Sequence, residues 1–504
     1  SGYGSVANLN NAGFINSGAA AGGGLKVGGN FNNAAGATLM ANLTGPQASN
    51  LNVTGSATLN GSLIVTNSAP LTGNDSFTVL TAGQGITGQF ATTTLPQLAF
   101  VDTAVKYAPG SVAVSFTRNQ TGFAQVGQTP NQRAVAAAIN GLPANNPVYG
   151  AVLGLSAKDA PGTFERLSGD SHASLSSALI RNAETLRTQP LNRLRDSLQA
   201  DSGADDRACA EIQRNAGSYG QRFSCQRNVW SEVLGSWQRQ DGDGNAPDYR
   251  QRTGGVLIGG DARVGDGWRV GMALGYQDST IWQDSRDARA KVDSYSVTLF
   301  GGKSFARPGG GAWNVMAGAG YAWQDIDTRR QLRLGGSDQE LKASYSGNTA
   351  QVFGEVGYAI PVAPQASVEP FAGIAWTRQH LGGFSESGGS AALSSRGEHN
   401  DVTTTTLGVR GRIDTQIAGA PARLRATLGW RHAMGDVKPE RTLAFSAGPN
   451  YTVSGTPLAR NAAVVELGAE VGISKNAAIG LSYQGQYGNG NRDNAGFINV
   501  RWNF

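Results

Sequence analysis

The chain has 504 residues, a formal net charge of +5 and only 15% charged residues, while glycine reaches 71. Collagen is excluded by the lack of a strict Gly-X-Y period, a disulfide scaffold by the presence of only two cysteines, and a membrane-spanning helix by the absence of any apolar run of about 18 residues. The basic residues are scattered, so no nucleic-acid partner is expected, and four histidines leave little room for a His-based metal centre. No basic, apolar leader opens the chain, so a secretory signal is expected to have been removed or to lie upstream.

Residues 1–120 hold only five charged residues: Lys26, Asp75, Asp102, Lys106 and Arg118. "NLNNAGFINSG" and "GNFNNAAGATLMANL" are imperfect repeats. In "LNVTGSATLNGSLIV", Leu51, Val53, Gly55, Ala57, Leu59, Gly61 and Leu63 share one face, and the period of two means strand. Asn and Gly tolerate the left-handed backbone of tight corners. Short strands with such corners describe a parallel β-helix, with a β-sandwich as the competing fold.

The middle zone, 121–228, becomes helical after Pro130. Leu175, Leu179 and Leu186, then Leu191, Leu194 and Leu198, lie on one helical face, which places a long helix over about 163–200. Ser174, Ser176, Ser177 and Ala178 make a small, polar opposite face. Pro190 is expected to kink the helix or open a second one. Cys209 and Cys225 flank a polar insert.

From Val229 to Phe504, alternation runs over long segments, and all nine tryptophans lie between Trp230 and Trp502. Twelve strands are expected near 229–239, 252–264, 267–279, 290–305, 312–326, 340–360, 366–381, 398–414, 422–434, 459–473, 476–487 and 493–504. Short joints such as "GDG", "RPGGG" and "SKN" alternate with longer polar ones starting near Gln240, Thr280, Asp327, Gly382 and Asp436. An even strand number, alternating faces and two kinds of joint match an antiparallel transmembrane β-barrel. Trp237, Trp268, Tyr276, Trp313, Tyr321, Trp376, Trp430 and Trp502 sit near strand ends on the apolar faces, where indole and phenol rings favour the headgroup level. The alternation turns Arg410, Arg412, Arg423, Arg425, Arg431, Glu466 and Glu470 inward, because a lipid-facing Arg at midplane would cost about 2–4 kcal/mol. These form a basic wall suited to helix acids such as Glu184 and Asp196.

Catalytic patterns are few. "SGDSHAS" sets Ser171 beside His172 and Asp170, but adjacency in sequence does not build a triad with an oxyanion hole. Ser168 or Asp170 reads better as a helix cap. His380, His399 and His432 fall near outward strand ends without a convergent acidic pair. No cofactor and no metal site are expected.

Together these residues resemble a family. "LNVTGSATLNGSLIV" with "FTVLTAGQGITGQF" is similar to a passenger end with an autochaperone region. "TPNQRAVAAAINGL" through "FERLSGDSHASLSSAL" resembles the junction before a translocator, and "INVRWNF" resembles a C-terminal assembly signal. The chain therefore resembles a classical (type Va) autotransporter over nearly its whole length. The resemblance implies an all-β chain: a passenger β-helix stub (1–120), a junction with linker helix (121–228) and a 12-stranded outer-membrane barrel (229–504) threaded by the helix. A twelve-strand lumen is wider than side chains can fill, and a helix about 10–12 Å across fits it. The implied function is secretion and surface display of the chain's own passenger. A surface adhesin and an outer-membrane pore or enzyme are the alternatives. Expected partners are outer-membrane lipid and lipopolysaccharide, the barrel assembly machinery and periplasmic chaperones, with the chain a monomer. The machinery would read Ile498, Val500, Trp502 and Phe504. Cys209 and Cys225 would form a disulfide in the periplasm. Some relatives cut themselves at an Asn in the threaded helix, which makes Asn182 and Asn192 the candidate self-cleavage residues.

Overall fold

Alternating small apolar and polar residues wind the first zone into a parallel β-helix. The computed structural model describes residues 4–17, 24–44, 50–201, 228–308, 310–474 and 476–503. Each coil gives one short strand to each of three faces. One face stacks Ser5–Val6, Lys26–Val27, Leu51–Val53 and Asn74–Ala82 in parallel. The two imperfect repeats are successive coils, with Leu9 opposite Phe31 and Asn11 opposite Asn33. Leu51, Val53, Ala57, Leu59 and Leu63 point inward and are buried. At one inner corner the Asn11 amide donates to Asn33 at 2.7 Å, and Asn33 donates to the Asn60 carbonyl at 2.7 Å. This ladder satisfies polar groups that the corner would otherwise strand. An antiparallel hairpin, Val101–Ala108 with Ser111–Arg118, pairs onto Asn74–Ala82 and closes the stack.

The junction opens with a short helix, Phe123–Val126, followed by the helix Pro130–Asn140. Thr129 caps it by accepting from the Gln132 N–H at 3.2 Å, Gln132 reaches back to the Thr129 N–H, and Pro130 opens the first turn. The helix expected over 163–200 is split into Ala160–Leu167 and Asp170–Asp201. Gly169 makes the break, with φ +72°, and a β-carbon there would lie 2.5 Å from Leu393 Cδ1. Both the backbone and the space demand glycine.

Pro190 neither kinks the long helix apart nor opens a new one. Its missing N–H frees the Leu186 carbonyl four residues earlier. Thr298 of the barrel wall donates its hydroxyl to that carbonyl at 3.2 Å. Thr298→Val would leave a buried carbonyl unsatisfied, at about 1–3 kcal/mol. We expect a lower midpoint for loss of heat-modifiable migration; an unchanged midpoint would mean the carbonyl has another donor.

Twelve antiparallel strands close the barrel. They are β1 Asn228–Gln240, β2 Tyr249–Val264, β3 Trp268–Gln283, β4 Ala288–Ala306, β5 Ala312–Leu334, β6 Ser337–Ala363, β7 Ala366–Leu381, β8 Glu398–Ile417, β9 Ala420–Gly435, β10 Asn461–Gly472, β11 Ala477–Gly488 and β12 Asn491–Asn503. β12 pairs with β1 from Asn491 opposite Gln240 to Asn503 opposite Asn228, so the seam leaves no open edge. Val233, Leu274, Leu299, Val352, Leu407 and Leu481 are exposed on the outer face, as are Trp237, Trp268, Trp313, Trp376, Trp430 and Trp502. Ile498 also faces out, Val500 is half-buried, and Phe504 lies outside the described residues.

The outer joints differ from expectation. The long loop expected from Asp327 is a hairpin extension: β5 runs on to Leu334 and turns at Gly335–Gly336, both with positive φ, into β6. The strands persist beyond the apolar band because Leu332, Leu334, Leu341 and Ala343 are buried against the junction and the β-helix. The joints near Gly382 and Asp436 supply Phe384–Ser385, Leu393–Ser395, Glu440–Phe445 and Tyr451–Ser454, which form a four-stranded sheet. Leu393, Leu443, Phe445 and Val453 of that sheet belong to the same apolar core as Ile139, Phe164 and the β-helix interior.

Candidate functional site

The long helix descends from this outer core into the barrel and divides the lumen into two unlike sides. Its leucines take the first side. Leu186, Leu194 and Leu198 pack with Leu257, Ala273, Phe300, Met316 and Phe353 of β2–β6. Nearer the mouth, Leu175 and Leu179 meet Tyr249, Ile281, Val292 and Ile326. Gly302 leaves room for Leu198, whose Cδ1 would stand 3.2 Å from a β-carbon there. The small serine face is bonded to the mouth rather than solvated. Ser176 donates to Gln379 at 2.8 Å, Ser177 to the Thr456 carbonyl at 2.6 Å, and Ser174 lies 3.0 Å from the Thr456 hydroxyl.

Charge fills the other side. Arg431 pairs with Glu184 of the helix, and Arg425 with Asp196. Arg423 reaches Asp414 at 2.8 Å and Asp196 at 3.7 Å. Arg410 clasps Glu355 at 2.7 and 2.8 Å, and Arg412 lies 3.8 Å from Asp414. Glu466 accepts from Gln484 at 3.2 Å. Glu470 accepts from Arg193 at 3.0 Å and pairs with Arg501. Four of the seven wall charges, Arg423, Arg425, Arg431 and Glu470, touch the helix.

The helix also carries its own cations, which sequence reasoning missed. Arg193 bridges Glu232 at 2.9 Å and Glu470 at 3.0 Å. Arg195 meets Glu355 at 2.8 Å, and Arg181 meets Asp493 at 3.2 Å. The pleat could have found Glu232, since it shares the inward face of β1 with Leu234 and Ser236. The apolar Trp230 on that face, fully buried here, obscured it.

Two asparagines were named for self-cleavage. Asn182 donates to Ser279 at 3.0 Å and accepts from Gln251 at 2.7 Å; Asn192 accepts from Arg195 at 2.8 Å. Cyclisation would have to break the two wall bonds that hold the Asn182 amide. We expect mass spectrometry of the purified protein to find one chain; a new N-terminus at Ala183 or Arg193, abolished by Asn→Gln, would show the opposite. Cys209 and Cys225 lie outside the described residues.

The other residues singled out stay apart. His380 and His399 stack on each other with ring centres 4.4 Å apart, and His432 lies 2.8 Å from Asn461. His172 turns away from Ser171 to Glu386, 2.9 Å away, in the outer sheet region. Arg330 holds Glu386 through two bonds of 2.7 Å. Burial alone would raise the Glu386 carboxyl, but Arg330 and His172 hold it well below the usual carboxylate range. Burial pushes His172 below its ordinary value despite Glu386 beside it. Both groups therefore bind fewer protons folded than unfolded, so stability is lost as pH falls. Loss should begin below about pH 6.5, the unfolded imidazole value, and deepen below about 4.3 as the unfolded carboxyl titrates. With the intrinsic pH dependence of amide exchange divided out, protection in residues 382–397 should be lower at pH 5 than at pH 8; equal protection would refute this.

Comparison with known proteins follows the same division. Residues 229–484 match the family model described as autotransporter beta-domain. An extracellular serine protease of Serratia marcescens is 30% identical over 476 residues, covering 85% of this chain and 43% of that protein. Esterase EstA of Pseudomonas aeruginosa is 26% identical over 253 residues, covering 49% and 36%. The translocator domain of the autotransporter NalP from Neisseria meningitidis aligns with a TM-score of 0.49 and 17% identity, covering 66% of this chain and 99% of that one. The chain spans less than half the length of these curated relatives.

Proposed function

Because the chain belongs to the autotransporter family, we propose that the plugged barrel is the state that follows export, with the helix left in the pore behind its cargo. The barrel is an outer-membrane translocator that secretes a passenger, and it resides in the outer membrane of a Gram-negative bacterium. The observation that supports the post-export reading is one apolar core shared by the β-helix, the junction helices and the outer loops. A passenger end packed on the outer loops has already crossed. It then displays whatever precedes it at the cell surface.

The partners follow from this reading. The barrel meets outer-membrane lipid and lipopolysaccharide, periplasmic chaperones accompany it before insertion, and the assembly machinery reads the face of Ile498, Val500 and Trp502. The chain acts as a monomer without cofactor. Two curated relatives are named as a protease and an esterase, which favours a hydrolase over an adhesin as the cargo of the whole protein. The residues described here supply its anchor rather than its chemistry.

Conductance in planar bilayers tests the plug. The full chain should conduct little, and a chain lacking 170–201 but still heat-modifiable should conduct far more. Equal conductance would end this reading.

A further inference from the structure

The pleat that sorts the lumen also aligns charges on the outer face. Arg492 of β12 stands directly opposite Arg239 of β1, and Arg239 opposite Arg250 of β2. On the next ladder Arg250 faces Trp282 of β3, and Arg252 faces Trp237 of β1. All four arginines are exposed. With Trp237 and Trp282 they line one open groove. The Arg252 guanidinium lies 5.8 Å from the centre of the Trp282 ring.

Like charges directly opposite on paired strands repel. The chain relieves this only in part. Arg239 reaches Asp248 at 3.3 Å and Asp241 at 3.5 Å, and Arg250 reaches Asp284 at 2.6 Å. Arg252 and Arg492 have no ion pair among the described residues. A row of this kind calls for anions from outside the chain.

Its height selects them. β1 runs from the inner end of the barrel toward the β-helix side. Trp237 belongs to the aromatic girdle there, and Arg239 follows two residues later, about 7 Å further along the strand. The groove thus lies where the apolar zone gives way to headgroups on the outer side. Planar guanidiniums match phosphate oxygens through paired N–H bonds, and an indole offers an apolar body at a wet boundary.

We propose that this groove binds the phosphates of a phosphorylated glycolipid of the outer leaflet, with Trp237 and Trp282 against its sugars. The proposal rests on the outer-membrane placement and names the site within it. Bound lipid would neutralise Arg252 and Arg492 and brace the seam between β12 and β1.

The test uses the full chain in detergent, titrated with bisphosphorylated lipid A, dephosphorylated lipid A or inorganic phosphate, and read by native mass spectrometry. Heat-modifiable migration checks folding separately, so failure of the site is distinguishable from failure of the barrel. The bisphosphorylated lipid should be retained at least tenfold better than either other probe. Arg252→Gln with Arg492→Gln removes the two arginines of this row that have no ion pair among the described residues and should weaken retention at least tenfold. Lys106→Gln with Lys158→Gln, exposed cations of the β-helix hairpin and the junction outside the barrel, should leave it unchanged. If the first double variant does not fold, Arg492→Gln alone should weaken retention about threefold. Equal retention by the unaltered chain and the groove variant overturns the proposal. So does equal binding of the dephosphorylated lipid, or of inorganic phosphate, which would mark a free-ion site.

Discussion

Replacing Arg193 with methionine is expected to unseat the helix from the lumen. The Arg193 guanidinium is 2% exposed and lies between two carboxylates, Glu232 and Glu470, that are themselves almost fully enclosed. Methionine keeps the length and the helix propensity, so the change isolates the charge. Removing one partner of a buried ion pair leaves the other uncompensated, which costs about 3–5 kcal/mol. Arg501 still neutralises Glu470, so the larger burden falls on Glu232. More open pairs such as Arg412–Asp414 are worth only about 0–1 kcal/mol. Single-channel conductance should rise, and the helix should become cleavable by added protease. Adding Glu232→Gln should restore part of the seating. If Arg193→Met conducts and resists protease like the unaltered chain, the leucine face alone holds the plug.

A single carboxylate at Leu341 should release the β-helix from the barrel. Leu341 is fully buried in the hairpin extension, where the barrel meets the junction and the β-helix. Arg330, directly opposite on β5, is already bound to Glu386, so an aspartate there would have no cation of its own, and a buried charge without one is among the costliest substitutions. The site lies beyond the apolar band, so the twelve-strand ladder below should survive. Leu341→Asp should migrate as a heat-modifiable barrel while residues 50–160 become protease-sensitive. A passenger end that stays resistant would show that the outer sheet of Leu393, Leu443 and Phe445 suffices for docking.

Both variants act on contacts that the sequence reveals unequally. Arg431–Glu184 and Arg425–Asp196 join residues that could each be oriented beforehand. The strand pleat turns the arginines inward, and the carboxylates ride on the helix such a lumen would hold. The strand pattern marks a basic wall with an acidic helix as its partner, which does not single out Arg193. The structure sends charge both ways, with helix cations on Glu232, Glu355 and Glu470. Which carboxylate meets which guanidinium depends on how far the helix is inserted and how it is rotated. Neither is a local property. The outer loops show the same limit. Residues 327–340 are polar enough to read as a loop, yet Leu332, Leu334 and Leu341 extend two strands there because another part of the chain covers them.

What the sequence determined by itself is everything governed by local periodicity. A period of two gave the strands and the inner and outer faces of the barrel, leucine spacing gave the threaded helix, and repeated Asn and Gly gave the coils of the β-helix. These follow from backbone geometry within a few residues. What only the tertiary structure decided is what depends on register and packing between distant segments. It brought Thr298 to the carbonyl freed by Pro190, set Arg492, Arg239 and Arg250 side by side, and fused β-helix, junction and outer loops into one core. Such pairings form only when the chain closes on itself, because the barrel seam and the inserted helix fix positions that no local pattern encodes.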